Sequence, residues 1–335
     1  MKHFFAWLVL CGLPLLGRAQ APAKTSPYDS AHFSWRKPVP RNRLRELQPD
    51  RPGITESPFT VDAGHAQLEM DAVRLLNGGS GNDDKTRELH VAYTMLKLGL
   101  SRRTDVQLEV PVYSIAKQRP TGTDEWQERH AGFGDVTVRV KHNFLGDDQD
   151  GKLAMAVIGY VRLPTGGQVG DGGTEYGIVL PIDVELSEQI NLEAQLETDL
   201  NYDREQNSRY LGLMPSAALE WDFAKKVGVV IEGVTQWNTE QRRWQASTNI
   251  APIIKVNDNF QLDFGTHIAL NNLSDHQYFF GFTLRALPLP RQGARPQSRG
   301  AAEKGIRFNA GAVPATVRFT SGRATHATVY WLIFN

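Results

Sequence analysis

The nine histidines of this chain are the side chains best suited to chemistry, and their spacing assembles no site. No two lie within the short intervals that zinc sites use, and there is no HExxH pair. The one cysteine, Cys11, lies inside the N-terminal apolar run that cleavage on export would remove, so disulfide and thiolate chemistry drop out. His142-Asn143 suggests a Ser–His–Asn hydrolase, but no serine on the flanking stretches could lie beside it, and no G-x-S-x-G is present. His90 and His267 fall at polar positions of their stretches, and His142 at an apolar one near a turn. The glycine-rich run from Gly166 to Gly173 lacks the Lys-Ser/Thr ending and following helix of a phosphate loop, and reads as a flexible loop. The residues therefore predict no enzyme, no catalytic group, no metal site and no cofactor.

The chemistry that remains is electrostatic. Carboxylates and cations recur at alternate positions of apolar stretches, and twelve of them are candidates for a charged lumen or eyelet. These are Glu69, Asp71, Glu109, Arg139, Lys141, Arg162, Glu193, Glu197, Asp199, Glu220, Glu232 and Asp263. Lys97, Lys255 and Arg285 share the same polar parity. Enclosed charges must pair or be hydrated, because an unpaired buried charge costs several kcal/mol. Two readings stay open: a salt-bridge network that fills an interior, or a charged constriction that orients passing solutes.

The elements that would position these groups show a period of two. Val136, Val138 and Val140 alternate with Thr137, Arg139 and Lys141, and Leu192, Ala194 and Leu196 alternate with Glu193, Gln195 and Glu197. Such stretches are strands with one apolar and one polar face. The spacing predicts about twelve, at roughly 65–76, 87–99, 105–115, 133–145, 152–163, 176–186, 190–202, 210–223, 227–238, 244–256, 260–271 and 276–286. Short turns and longer polar loops interleave between them, the longest being Ile115–Gly132 and Pro164–Glu175. Even strand number and alternating loop length predict an all-β, up-and-down antiparallel transmembrane β-barrel, apolar face toward lipid and polar face inward. Phe144, Trp221 and Phe223 beside short turns, with Tyr202, Trp237 and Trp244 beside long loops, would form the two aromatic girdles.

The ends read differently. Lys2, the apolar stretch Phe4–Leu16 and Ala19-Gln20-Ala21 form a signal peptide over 1–21, cleaved on export. Residues 22–62, rich in Pro, Arg and Ser, are expected as a mobile periplasmic lead-in able to act as a plug, before a barrel over 63–286. Residues 287–335 break the strand pattern and are expected as an irregular extension. Basic and acidic residues number 37 each, so bulk charge points to no nucleic-acid partner.

Several runs carry a family resemblance: Asp50-Arg51-Pro52-Gly53-Ile54-Thr55-Glu56-Ser57-Pro58, Gly64-His65-Ala66-Gln67-Leu68-Glu69, Leu98-Gly99-Leu100-Ser101, Gly132-Phe133-Gly134-Asp135 and the last strand Tyr278–Arg285. Over 48–286 the chain resembles the proteobacterial outer-membrane family linked to the meta-pathway of phenol degradation. The resemblance implies an outer-membrane channel or transporter for small organic solutes, aromatics among them. Lipid, those solutes and the barrel-assembly machinery would be its partners. Members usually end on an aromatic closing strand, whereas this chain continues past Ala286 to Asn335. A structural or adhesion barrel with a filled lumen, and an outer-membrane lipid hydrolase, remain as alternatives.

Overall fold

The computed structural model describes residues 33–78, 84–146, 152–240 and 242–286. The expected signal peptide and C-terminal extension lie outside the described residues. Thirteen strands follow in order: β1 (Ala66–Gly78), β2 (Lys85–Gly99), β3 (Thr104–Arg119), β4 (Gln127–Gly132), β5 (Val136–Leu145), β6 (Leu153–Leu163), β7 (Glu175–Ser187), β8 (Ile190–Asp203), β9 (Ser208–Ala224), β10 (Val227–Asn238), β11 (Arg243–Asn257), β12 (Phe260–Ala269) and β13 (His276–Ala286). Twelve of them pair antiparallel with their neighbours, and β1 closes on β13 from Ala66↔Ala286 to Asn77↔His276. Closure leaves no unpaired strand edge in the membrane, where an unsatisfied backbone group has no water to turn to. The thirteenth, β4, pairs with the outer end of β3 beyond the barrel rim. The stretch Ile115–Gly132, expected as a longer polar loop, thus carries a β-hairpin of β3 and β4.

The face assignment follows the period of two. Leu96, Leu108, Val138, Leu180, Leu196, Ile231 and Phe264 are exposed on the outside, whereas Glu69, Lys97, Gln107, Arg139, Lys141, Glu232 and Asp263 are buried within. Phe144, Trp221, Phe223 and Trp244 are exposed outward; Trp221 stacks edge-on to Phe223 and Trp237 lies against Trp244, as interface girdles require.

Two departures have local causes. Ala72 is the extra residue of a β-bulge, for the register against β13 passes from Asp71↔Gly281 to Val73↔Phe280. On the adjoining strand, Ala92 adopts a left-handed φ of 55°. Beyond this layer the inward and outward parities exchange. Asp71 is therefore buried inside while Val73 faces out, and Tyr113, placed inside by counting from Gln107, is exposed. The inner wall is also less polar than expected. Ala154, Ala156 and Ile158 on β6, Val179 on β7, and Ala218, Val230 and Ile253 on β9 to β11 are buried on it. Over Ala218, Val230 and Ile253 the lead-in lies across a narrow cavity.

Candidate functional site

The lead-in enters at the end where the connections are short. Trp35 N–H donates to the Leu100 carbonyl, Val39 N–H to the Ala63 carbonyl, and Val61 N–H to Asp105 at 2.9 Å. Arg41–Arg43 form a single 3-10 turn. Between Arg45 and Asp62 the chain runs into the barrel and back, and Asp50, Thr55, Ser57, Phe59 and Ala63 are buried. This part of the lead-in is packed and bonded against the barrel wall. Leu47, Pro49 and Pro52 face the apolar patch of Ala218, Val230 and Ile253 across a narrow cavity of about 100 Å³.

Charge pairs fix the inserted turn. Asp50 receives Lys141 Nζ at 2.7 Å and pairs with Lys97, which also meets Glu69. Arg51 bridges Asp71 on β1 and Asp263 on β12, and Arg74 adds a second cation to Asp71 at 2.7 Å. Glu56 pairs with Arg139, and Lys141 lies 3.7 Å from it. Backbone groups of the turn are satisfied by wall residues. Glu232 accepts the N–H of Ile54 at 2.9 Å and of Thr55 at 2.5 Å, together with the Thr55 hydroxyl. Gln195 accepts the Glu56 N–H at 2.8 Å, Lys141 donates to the Ser57 carbonyl and Asn143 to that of Pro58. A buried N–H without an acceptor costs about 1–3 kcal/mol, so the wall is matched to this turn as closely as a strand partner would be.

Electrostatics within the inserted turn follow from those contacts. Burial works to raise the Asp50 carboxyl, but Lys141 and Lys97 outweigh it and hold it well below the usual range. Glu56 moves the other way, pushed up by burial against the pull of Arg139. Burial would lower Arg51, yet Asp263 and Asp71 hold its guanidinium charged.

All twelve predicted lumen residues project inward, and the structure sorts them. Glu69, Asp71, Arg139, Lys141, Glu232 and Asp263 bind the lead-in. Glu193 and Glu220 line the small cavity beneath it with Asp222 and Lys255. Glu109, Arg162, Glu197 and Asp199 stand on the long-loop side. There Tyr93 donates to Glu109, Tyr160 to Asp199 at 2.5 Å, and Arg162 to Glu175 at 2.8 Å. Arg162 also lies 3.6 Å from Asp171, whose loop folds over Asp135 through the N–H groups of Gly166 and Asp171. A cavity of about 350 Å³, bounded by Arg51, Ile54, Tyr93, Met95, Glu109 and Arg139, lies between the inserted turn and the barrel wall. Asp50, Arg51 and Glu56 are not among the twelve predicted residues, although the plug expected of residues 22–62 contains them; their individual signal is a charged D-R-P-G-x-T-E-S-P run with no strand period to explain it.

Three of the described histidines have places in the packing. His142 faces outward beside the Thr104 hydroxyl at 2.9 Å, His65 is bonded to the Val39 carbonyl, and His267 is buried against Phe279. Among the described residues no group of three His, Cys, Asp or Glu is arranged to hold a metal ion.

Comparison with known proteins agrees with the architecture. The family model described as "Putative MetA-pathway of phenol degradation" matches residues 49–285, a span that opens just before Asp50 and closes on Arg285. No curated protein matches the sequence. Among solved structures the chain is similar to an outer membrane channel from Pseudomonas putida F1, with 11% identity and a TM-score of 0.53 over 70% of this chain and 99% of that one. It is also similar to the Ralstonia pickettii toluene transporter TbuX, with 10% identity and a TM-score of 0.41 over 73% and 99% of the two chains. At its 11% identity the likeness to the Pseudomonas putida channel speaks for the barrel fold alone.

Proposed function

This chain belongs to the phenol-degradation family, and on that premise we propose that it is an outer-membrane channel for small organic solutes, stoppered by its own lead-in. One observation carries the reading: residues 45–62 fill the short-turn half of the barrel through charge pairs, while a cavity stays open above them. Charged and hydroxyl groups line that cavity, so a solute entering from the long-loop side meets Tyr93, Glu109 and Arg139 before the inserted turn. Passage then requires the turn to move, because its contacts cross the interior from β1 to β12. Loosely packed hydrated pairs exchange with water at modest cost, whereas these are buried, so the resting state is closed. An aromatic solute is the family-derived candidate.

The long-loop layer would act as a first filter. Arg162, held by Glu175 and Asp171, ties the Pro164–Glu175 loop to the wall and narrows the outer mouth. The export signal over 1–21 and insertion by the assembly machinery complete this reading.

A second reading has the same observation behind it: a barrel whose interior is filled for good, serving a structural role. Liposome swelling separates the two. Proteoliposomes carrying the mature chain, and a variant with Arg51→Met and Asp50→Asn, are challenged with small sugars and with benzoate. The channel reading expects faster swelling in the variant. No swelling from either folded protein would leave the filled barrel.

A further inference from the structure

At the short-turn end a second cavity, of about 450 Å³, opens between residues 41–47 of the lead-in and the ends of the last strands. Six cations and two carboxylates, Glu46 and Asp258, stand on its lining. Most of the enclosed positive charge is answered locally. Lys255 meets Asp222 at 2.7 Å, Glu220 at 3.6 Å and Glu46 at 3.7 Å, and Arg45 meets Asp62 at 2.8 Å.

Arg285 is the exception. It is 95% buried (5% exposed), and among the described residues no carboxylate lies within ion-pair distance of it. Its Nη1 donates to the Arg45 carbonyl at 2.8 Å, but its Nε has no partner among the described residues. The edge left over, Nε with Nη2, is the one that grips a carboxylate in two parallel hydrogen bonds. Beside it Gln261, 3% exposed, carries an amide nitrogen that likewise has no acceptor among the described residues. Two buried donors therefore line one cavity without a recipient, under a field made positive by Lys225 and Lys226 on the β9–β10 turn. Leu44 and Leu47 supply an apolar side to the same cavity.

We propose that this cavity is a binding site for a small organic carboxylate, held in a fork by Arg285 and capped by Gln261. The donors select an anion, and the two leucines select one with an apolar body over an inorganic ion. Lys225 and Lys226 draw the anion in from solvent without touching it in a fixed geometry. The site does not require that its ligand cross the barrel, so binding and passage succeed or fail separately.

Calorimetric titration of the full mature chain in a neutral detergent tests this, with benzoate as probe and benzyl alcohol and inorganic phosphate as comparisons. Benzoate should bind saturably at one site, with benzyl alcohol and phosphate at least about tenfold weaker. Arg285→Lys keeps the charge and loses the fork, so it should weaken benzoate about tenfold, and Gln261→Leu should weaken it severalfold. Lys225→Gln with Lys226→Gln lies on an exposed turn and should flatten the salt dependence without loss of the site. Heat-modifiable migration on gels checks folding, and Gln261→Leu carries the test if the Arg285 variant does not fold. No saturable binding of benzoate, equal binding of benzyl alcohol, or full affinity in folded Arg285→Lys would overturn the proposal. Phosphate binding as well as benzoate would overturn the organic part and leave an anion site only.

Discussion

Arg51 is the most exacting place to perturb the closed state, because one guanidinium serves two carboxylates on strands that meet only through β13. Arg51→Met keeps the length of the stem, and with it the packing beside Phe279, but removes the charge. Asp71 retains Arg74 at 2.7 Å, while Asp263, fully buried, loses its only ion-pair partner among the described residues. Removing one partner of a buried pair costs about 3–5 kcal/mol, and the remaining Arg74 argues for the lower end. At about 1.4 kcal/mol per tenfold, the docked lead-in should lose roughly two orders of magnitude in its equilibrium over the undocked form. The amides of Ile54 and Thr55 report this directly, since both donate to Glu232 only when the turn is inserted. Hydrogen exchange at these two amides should accelerate about a hundredfold in the variant, while the amides of β7 and β8 stay protected. Unchanged protection at Ile54 and Thr55 in a folded barrel would refute the claim that Arg51 holds the turn in place.

Gly281 should tolerate no side chain while the lead-in is docked, because a Cβ there would run into the Arg51 guanidinium and the Met70 carbonyl. Gly281→Ala is expected to raise exchange at Ile54 as Arg51→Met does, and a wild-type exchange rate would contradict it. Docking should also depend on acidity in two opposed ways. Asp50, lowered in the docked state, contributes strength above its ordinary value of about 4 that is lost as pH falls below it. Glu56, raised in the docked state, contributes strength at low pH that is lost as pH rises through its raised value. Protection of the turn, corrected for intrinsic exchange, should therefore peak on the mildly acidic side; a steady rise from pH 3 to 8 would count against the assignment of Glu56. Leu180, exposed on the lipid face of β7, should resist charge. Leu180→Arg is expected to cost about 2–4 kcal/mol if it lies near the midplane, read as a lower midpoint in urea unfolding from lipid vesicles, and an unshifted midpoint would place that face elsewhere.

The barrel was legible because its two faces meet two solvents. Leu192, Leu196 and Ile231 could be assigned outward, and Glu193, Glu197 and Glu232 inward, from period alone. Where a bulge interrupts the period, counting fails: Ala72 and Ala92 reverse the parity beyond them, and nothing about an alanine announces it. The hairpin of β3 and β4 was hidden for a related reason, since Gln127–Gly132 is polar on both sides and meets water on both. The inner charges were visible as a set, but their partners were not. Arg139 and Lys141 had to find carboxylates, and those came from Glu56 and Asp50, 83 and 91 residues away along the chain. No local pattern predicts such a pairing. The family-specific run at Asp50–Pro58 pointed to its importance without its place.

A lead-in that closes the barrel must open a conducting path when it is removed, and single-channel conductance reads that path. The mature chain and a form lacking residues 33–62, both verified as folded by heat-modifiable migration, are compared in planar bilayers under the same salt and voltage. The intact chain should show a low conductance with brief openings, and the shortened one a larger and sustained step. Equal conductance from the two, with the barrel folded in each, would contradict the account.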